Sequence, residues 1–454
     1  MNLPNYFLAD LPAEAALGPT LIREACLSLK RNRELYLARR STGDLVNSLC
    51  AVAKEWLHPD YPLRRMALDD GSRMTGFSRA TIAAGLDSFF RVFTPDDFEA
   101  LLEQDLGHTR RLDAVTSHSA ERQTGRAAIA VSPALLVHIT AGNLPNPAWM
   151  SIVLGVLVRS AQFVKCASGM SLFTRLFAHS LHEADPKLGA CLEVAEWPGG
   201  TTTLEEELFD EADCVTATGS DETLENIRQR LPSRVRFVSH GHRLSFGYVS
   251  GEFLAGSNKR IVIARVAADV AAWDQLGCLS PHVIYVQQDG GCSAEAFAEL
   301  LANELEVIEA VQPRGGLPIS EAAAIASRRS VYEIRAANST ETRLWCSQNS
   351  SAWTVVYESD PRFQVSCLNR FVYVKPVPDV AAMLAAADSI RDRVSTIGLA
   401  VAESRFQELA GILGRWGATR ICPMGRMQQP PLTWRHDGRG PLAELVTWTD
   451  CELP

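Results

Sequence analysis

The hydrophobic pattern divides the chain into a helical first part and a later part of alternating strands and helices. Up to about residue 115, apolar residues recur at three- and four-residue spacing, as in Leu45–Val52, which predicts amphipathic helices. Ser78 precedes another run of this kind and is a predicted helix N-cap. We therefore predict that residues 1–115 form an N-terminal helical segment that covers the rest of the protein.

Short apolar runs bounded by turn residues follow. The predicted strands are 128–131, 135–139, 163–166 and 214–218, and the predicted helices between and after them are 147–159 and 221–229. This alternation predicts an α/β fold with a parallel sheet covered by helices. A sheet of that kind binds ligands beyond the carboxyl ends of its strands. A second alternating region extends from 256 to 410, and the remainder, 411–454, is predicted to pack on the domains as a C-terminal segment.

Composition excludes several classes of function. The chain has 454 residues, a net charge of -9 and a pI near 5.7, whereas a nucleic-acid-binding face is basic. It has no apolar run of 18 residues and no signal-peptide pattern, so we expect no membrane span and a cytoplasmic location. Eleven cysteines without a CxxC pair indicate reduced thiols, with no structural metal site expected.

Cys278 is the strongest candidate for chemistry. It follows an apolar-periodic run that ends at Trp273 and precedes the apolar stretch 283–286, with Gly277 before it and a Ser-Pro turn after it. A thiol at the edge of a packed element can attack a carbonyl carbon. The alternative is a small buried hydrophobe, as most of the other cysteines must be.

Three further segments lie at predicted turns. Asn143 follows a strand and opens a helix, where its amide either stabilises an oxyanion or only caps the helix. Lys165 ends a strand, where it either holds a ribose or phosphate or is simply solvated. The Thr-Gly-Ser turn at 218–220 precedes a helix, and its backbone N–H groups could receive a pyrophosphate, although such turns are common.

Together these segments resemble the aldehyde dehydrogenase superfamily, and more closely its acyl-CoA reductase branch, the LuxC-type fatty-acyl reductases. The similarity extends from about 40 to 440, and about 22, 54 and 58 residues separate the successive segments. The resemblance implies an aldehyde-dehydrogenase-like α/β fold. Its Rossmann-type dinucleotide-binding domain would occupy 116–255, and an α/β catalytic domain carrying Cys278 would occupy 256–410.

The resemblance also implies roles for individual residues. Cys278 would be the nucleophile, and the Asn143 amide together with the Cys278 backbone N–H would hold the oxyanion. The cofactor-binding residues would be Lys165, Ser168, Thr218, Gly219 and Ser220.

One departure from the superfamily concerns the product. Aldehyde dehydrogenases carry a glutamate that activates water to hydrolyse the acyl-enzyme, whereas Ser239 or His240 occupies its place here. Without that base the thioester intermediate is left for hydride reduction. As in the reductase branch, an acyl thioester would then leave as an aldehyde.

A second departure concerns the cofactor. Members that prefer NAD follow the strand-end lysine with a glutamate, but Cys166, Ala167 and Ser168 follow Lys165 here. A carboxylate would repel a 2'-phosphate, so its absence predicts NADPH as the cofactor, with NADH as the alternative. Ser366–Phe371 occupies the approximate place of a later Glu-x-Phe-Gly-Pro segment of the superfamily, as it does in LuxC-type reductases.

The resemblance further implies an acyl-CoA or acyl-protein thioester as substrate, an acyl-protein synthetase as partner, and a homo-oligomer. Two alternatives remain open: an oxidising aldehyde dehydrogenase with His240 or Glu358 as base, and a non-catalytic acyl- or cofactor-binding subunit. His436 and Asp437 are interpreted as a structural hydrogen bond in a tight loop. The pair His240 and His242 lacks an evident third ligand for a metal.

Overall fold

The computed structural model describes residues 3–12, 14–142, 144–255, 259–288 and 291–452. Its helices are α1 (Pro19–Tyr36), α2 (Thr42–Leu57), α3 (Pro62–Thr75), α4 (Arg79–Phe90), α5 (Pro95–Leu106), α6 (Ser119–Gln123), α7 (Asn146–Leu157), α8 (Leu172–Ala184), α9 (Pro186–Gly189), α10 (Thr202–Glu211), α11 (Asp221–Arg230), α12 (Gly251–Ala255), α13 (Lys259–Ala271), α14 (Ala294–Val311), α15 (Ile319–Asn338), α16 (Val380–Ala386) and α17 (Glu403–Trp416).

The strands are β1 (Arg126–Val131), β2 (Leu135–Ile139), β3 (Ala161–Cys166), β4 (Leu192–Glu196), β5 (Cys214–Thr218), β6 (Arg236–His240), β7 (Leu244–Val249), β8 (Pro281–Gln287), β9 (Thr342–Cys346), β10 (Thr354–Glu358), β11 (Phe371–Val377), β12 (Val394–Ala400), β13 (Arg420–Pro423) and β14 (Thr447–Glu452). They form three sheets in two compact units. The first unit contains 1–74, 86–241 and 431–454, and the second contains 75–85 and 242–430.

The first unit is organised around a five-stranded sheet in the order β4-β3-β2-β5-β6, with every neighbouring pair parallel. Helix α1 buries Ile22, Cys26 and Leu29 in the same core as the strand residues Val137 and Phe163. Because the order turns back between β2 and β5, the carboxyl ends of these two strands flank the crevice where such sheets bind ligands. Separately, β1 and β14 pair antiparallel.

The second unit is organised around a seven-stranded sheet in the order β13-β12-β7-β8-β11-β10-β9. All neighbours are parallel except β9, which pairs antiparallel with β10 at one edge. Strands β8, β11 and β12 are buried along nearly their whole length, as expected for strands covered on both faces. Helices α13 and α14 supply apolar residues to the core on one face of this sheet.

The predicted strands and helices of the first alternating region are present, and the α/β fold class is confirmed. The division of the chain differs from the predicted boundaries. Strand β7, which the boundary at 255 would place with the first sheet, pairs with β8 and β12 of the second. The segment after 411 is divided, because β13 joins β12 while β14 pairs with β1. None of the described helices is long and apolar enough to cross a membrane.

Candidate active site

Cys278 lies in the turn that joins the 3₁₀ turn at 272–275 to β8. Its side chain is half-buried, while its neighbours Gly277 and Leu279 are buried. The Cys278 carbonyl accepts a hydrogen bond of 2.7 Å from the hydroxyl of Ser245, and the Ser245 oxygen in turn accepts one of 3.1 Å from the Thr396 N–H. The backbone that carries the thiol is therefore fixed to strand β7.

The residues before this turn have an unusual backbone. Trp273, Asp274 and Gln275 have φ angles of 50°, 50° and 66°, a left-handed region in which each non-glycine residue costs on the order of 1–3 kcal/mol. The Gln275 amide donates hydrogen bonds to the carbonyls of Pro281, at 2.8 Å, and Phe371, at 2.9 Å. These contacts tie both ends of the cysteine loop to each other and to β11.

A buried ion pair holds the same segment from the other side. The Arg370 guanidinium is fully buried and lies 2.8 Å from the Asp274 carboxylate; it also contacts Glu309, at 3.0 Å, and the Gln312 carbonyl, at 3.0 Å. Burial raises the pKa of Asp274, and the charge of Arg370 opposes that rise. Arg370 itself ends a left-handed run that begins at Leu368. Sequence patterns signalled neither partner.

The guanidinium of Arg420, in the second unit, interacts electrostatically with Cys278. Arg420 is buried and donates hydrogen bonds to the carbonyls of Met427 and Arg426, at 2.6 and 2.8 Å. Burial lowers the pKa of Arg420, and the charges of Cys422, Asp269 and Cys278 oppose that effect. A guanidinium beside a thiolate stabilises its charge. Nothing in the local sequence indicated this interaction, because Arg420 lies on a strand that is distant in the chain.

Most of the other cysteines are unsuited to attack. Seven of them are buried: Cys26, Cys50, Cys166, Cys191, Cys214, Cys292 and Cys422. Burial raises the pKa of Cys166 and Cys214 to about 11 each. All eleven cysteines lie in the described ranges, and none of them is in a disulfide.

The predicted cofactor residues lie at the carboxyl ends of the strands of the five-stranded sheet. Lys165 is the penultimate residue of β3, and Thr218 is the last residue of β5. Lys165 is only 4% exposed, and its Nζ atom lies 5.9 Å from the centre of the Trp197 ring. Burial lowers its pKa, while the charges of Glu205, Cys166 and Glu196 oppose that shift. The lysine is thus a buried group at the sheet edge rather than a solvated strand end.

The turn at 218–220 differs in detail from the prediction. The Gly219 N–H donates a hydrogen bond of 3.2 Å to the His240 carbonyl, so this amide is already engaged. The Ser220 hydroxyl accepts from the Thr223 N–H and caps α11. The turn therefore leads into a capped helix, whose N-terminal dipole favours anions while its first turn carries the acidic Asp221 and Glu222.

The loop that carries Ser168 is anchored by a residue that the sequence did not single out. Glu196, at the end of β4, accepts hydrogen bonds from the backbone N–H groups of Gly169, at 2.5 Å, and Ser171, at 3.3 Å. The residues that follow Lys165 in the chain are uncharged, but a carboxylate from another strand lies near them. The sheet brings Glu196 beside them, because Cys166 pairs with Glu196 in the β3–β4 register.

A histidine cluster lies at the end of β6. The His240 Nδ1 atom is 3.1 Å from the Asp437 carboxylate, and the His240 and His436 rings stack with centres 4.0 Å apart. His436 and Asp437, the predicted pair, both contact His240 in this cluster. One ligand atom from each of the three lies within 4.8 Å of the others, but the Arg439 guanidinium is 3.4 Å from His240. That positive charge opposes a cation, so we interpret the cluster as a hydrogen-bonded network.

Of the predicted site residues, Asn143 lies outside the described residues. The five cofactor residues belong to the first unit, and Cys278 belongs to the second. Within the first unit, Lys165, Ser168 and the turn at 218–220 all lie at or just after the carboxyl ends of strands in one parallel sheet.

Comparison with known proteins decides the family. The sequence pattern of the family described as "Acyl-CoA reductase (LuxC)" matches residues 37–448. The chain belongs to this family. It is 24% identical over 465 residues to a long-chain acyl-protein thioester reductase of Aliivibrio fischeri, covering 100% of this chain and 89% of the relative. It is 22% identical to the protein of the same name from Vibrio harveyi, covering 92% and 84%.

Solved structures establish the fold of this LuxC-family chain. An NAD-dependent benzaldehyde dehydrogenase of Corynebacterium glutamicum matches with a TM-score of 0.70 and 11% identity, covering 98% of this chain and 94% of that one. An NADP-dependent glyceraldehyde-3-phosphate dehydrogenase of Bacillus halodurans C-125 matches with a TM-score of 0.68 and 13% identity, covering 97% and 92%. The predicted family, the aldehyde-dehydrogenase-like fold and the assignment as an oxidoreductase are confirmed.

Proposed function

We propose that this LuxC-family protein reduces an acyl thioester to an aldehyde through an acyl-cysteine on Cys278, with NADPH as hydride donor and NADH as the alternative. The observation that carries the proposal is a half-buried thiol whose loop is fixed by Ser245 and Gln275 and lies within the electrostatic reach of Arg420. The relatives named as acyl-protein thioester reductases support the substrate class.

The proposed reaction is transfer of the acyl group to Cys278 followed by hydride reduction. The Cys278 thiolate forms a carbon–sulfur bond to the thioester carbonyl, and collapse of the tetrahedral oxyanion breaks the bond to the departing thiolate. A bound nicotinamide cofactor would supply the hydride that reduces the acyl-cysteine. Breaking the Cys278 carbon–sulfur bond then releases the aldehyde and restores the thiolate, and the departing thiolate takes up one proton. The fixed loop holds Cys278 and its backbone N–H in place for both steps.

The residues of the first unit fit a dinucleotide. Lys165 is buried at the sheet edge and offers a positive charge to a ribose or phosphate. Helix α11 follows β5 at the same end of the sheet and has a cap at Ser220, and helix N-termini favour phosphate groups. Gly142 packs against the Ser168 loop, since a side chain there would meet Met170 at 3.0 Å. We propose that these residues hold the cofactor.

The central experiment is mass spectrometry of the intact protein after incubation with acyl thioesters and no cofactor. We expect a covalent acyl adduct on Cys278 from an acyl-CoA or from an acylated carrier protein. Addition of NADPH should remove the adduct and release the aldehyde. If neither class of donor gives an adduct, the acyl-cysteine mechanism is wrong. The chain length that gives the most adduct would identify the preferred acyl group.

Replacement of Asn143 by alanine should lower turnover by about 100-fold or more, the loss typical of one oxyanion-hole donor. The effect should appear in kcat, because the charge develops only in the tetrahedral intermediate. Asn338→Ala, an equal truncation at the exposed end of α15, serves as the control and should leave kcat unchanged. An unchanged rate in Asn143→Ala would remove this residue from the site.

An oxidising aldehyde dehydrogenase remains the second candidate, and the structure bears on its base. Glu358 is 4% exposed, and its carboxylate pairs with Lys375 at 3.1 Å and with Arg335, which leaves it poorly suited to activate water. His240 hydrogen bonds to Asp437 and is the better candidate for that role. Incubation with a free aldehyde and NAD tests this function, because it would yield the carboxylic acid.

We further propose that the protein takes its acyl group from CoA or from a protein-bound thioester, that an acyl-protein synthetase supplies the latter, and that the protein forms a homo-oligomer. The long-chain acyl-protein thioester reductases among its relatives support the protein-bound donor. Comparison of adduct formation from matched acyl-CoA and acyl-carrier donors would rank the two.

A further inference from the structure

The loop that follows β3 is held by an acidic residue from the neighbouring strand. Both Glu196 oxygens accept backbone N–H groups of this loop, from Gly169 and Ser171. Gly169 has a φ of 75°, a left-handed conformation that glycine adopts without strain. The carboxylate of Glu196 is therefore hydrogen-bonded to the residue that follows Ser168, a predicted cofactor-binding residue.

The charges around Lys165 make the position of the Glu196 carboxylate important for ligand binding. Two carboxylates, Glu205 and Glu196, act electrostatically on the Lys165 ammonium. Glu205 is 6% exposed and pairs with Arg230 at 2.5 Å, so its charge is largely balanced by that arginine. The two hydrogen bonds of Glu196 come instead from neutral backbone groups. Its negative charge thus opposes the one positive charge that Lys165 offers to a ligand.

We propose that Glu196 is a specificity-determining residue that limits the binding of NADPH and makes NADH an effective second donor. This inference rests on the proposed function, because it requires a nicotinamide cofactor at this sheet edge. NADPH differs from NADH by a 2'-phosphate of almost two negative charges, which a fixed carboxylate beside the nucleotide site would repel. NADH carries neutral hydroxyls on that ribose, and a carboxylate can accept hydrogen bonds from them.

The test is equilibrium binding of NADH and NADPH to the full-length protein, followed by nucleotide fluorescence. Glu196→Gln removes the charge but keeps an oxygen that can accept a loop N–H. We expect the variant to bind NADPH about 5- to 10-fold more tightly, the scale of one screened carboxylate–phosphate repulsion. Its affinity for NADH should change less than about twofold. Glu206→Gln, an exposed glutamate on α10 with the same change in net charge, should leave both affinities unchanged.

Fragments separate charge from loop structure. Adenosine 2',5'-bisphosphate and 5'-AMP differ by the 2'-phosphate alone, and their binding is measured by displacement of NADH. Relief of repulsion should tighten only the bisphosphate in Glu196→Gln, whereas damage to the loop would weaken both fragments. An unchanged ratio of NADPH to NADH affinity, or an equal loss of both, would overturn the specificity role. If the unaltered protein binds neither nucleotide yet forms the Cys278 adduct, the proposed cofactor itself is wrong.

Discussion

Replacement of Cys278 by alanine should abolish aldehyde formation and the acyl adduct while leaving nucleotide binding intact. The loss should reach at least about 10⁴-fold in kcat, because removal of a nucleophile leaves only the contribution of binding and of the oxyanion site. The side chain is half-buried in a turn, and this turn is fixed by hydrogen bonds to the Cys278 carbonyl and from the Gln275 amide, which alanine at 278 leaves intact. The variant should therefore fold normally.

Cys346→Ala is the matched control, since it removes another half-buried thiol of the second unit. It should keep full activity and a single acyl adduct. Two results would contradict the assignment of Cys278. One is an adduct of equal stoichiometry on a different cysteine in Cys278→Ala, and the other is the loss of nucleotide binding together with activity.

The individual elements of the first sheet were predictable from the sequence because each is a short and nearly uninterrupted apolar run. Residues 135–139 and 214–218 were predicted as strands and are β2 and β5. Helix α7 was predicted over 147–159 and spans Asn146–Leu157. Buried parallel strands need apolar residues on both faces, and each strand therefore shows as a continuous apolar run in the local sequence.

The assignment of strands to sheets was not predictable in the same way. Strand β7 follows β6 after three residues, and only its hydrogen bonds to β8 and β12 place it in the second sheet. Its partner β12 begins at Val394, about 150 residues further along the chain. Pairing over such separations leaves no periodic signal, so a boundary drawn from local texture places β7 in the wrong sheet.

The residues of the candidate site likewise fall into those that local sequence predicts and those that it does not. Cys278 and Lys165 stand out because each lies at the junction of an apolar run and a turn. Glu196 and Arg420 do not stand out, because only the pairing of their strands brings them near the site: Glu196 pairs in register with Cys166, and Arg420 with Thr396. Residues whose function comes from a tertiary contact are indistinguishable in sequence from ordinary surface charges.

Arg370 is the clearest case, and its removal carries the largest expected effect on stability. Arg370→Met should lower the free energy of unfolding by about 3–5 kcal/mol, because loss of one partner leaves a buried charge uncompensated. The charge left without its partner is that of the Asp274 carboxylate, which is only 3% exposed and whose pKa is already raised by burial. Urea unfolding followed by tryptophan fluorescence measures this loss, since Trp273 precedes Asp274.

Arg362→Met is the matched control. Arg362 also pairs with an aspartate, Asp360, at 2.5 Å, but its side chain is 84% exposed, and such surface pairs contribute little. A second variant, Asp274→Asn with Arg370→Met, should recover part of the lost stability, because it removes the stranded carboxylate as well. Equal stability of Arg370→Met and Arg362→Met would show that the buried pair does not hold this segment. If the double variant is no more stable than Arg370→Met alone, the lost stability comes from packing of the arginine rather than from the unpaired charge of Asp274.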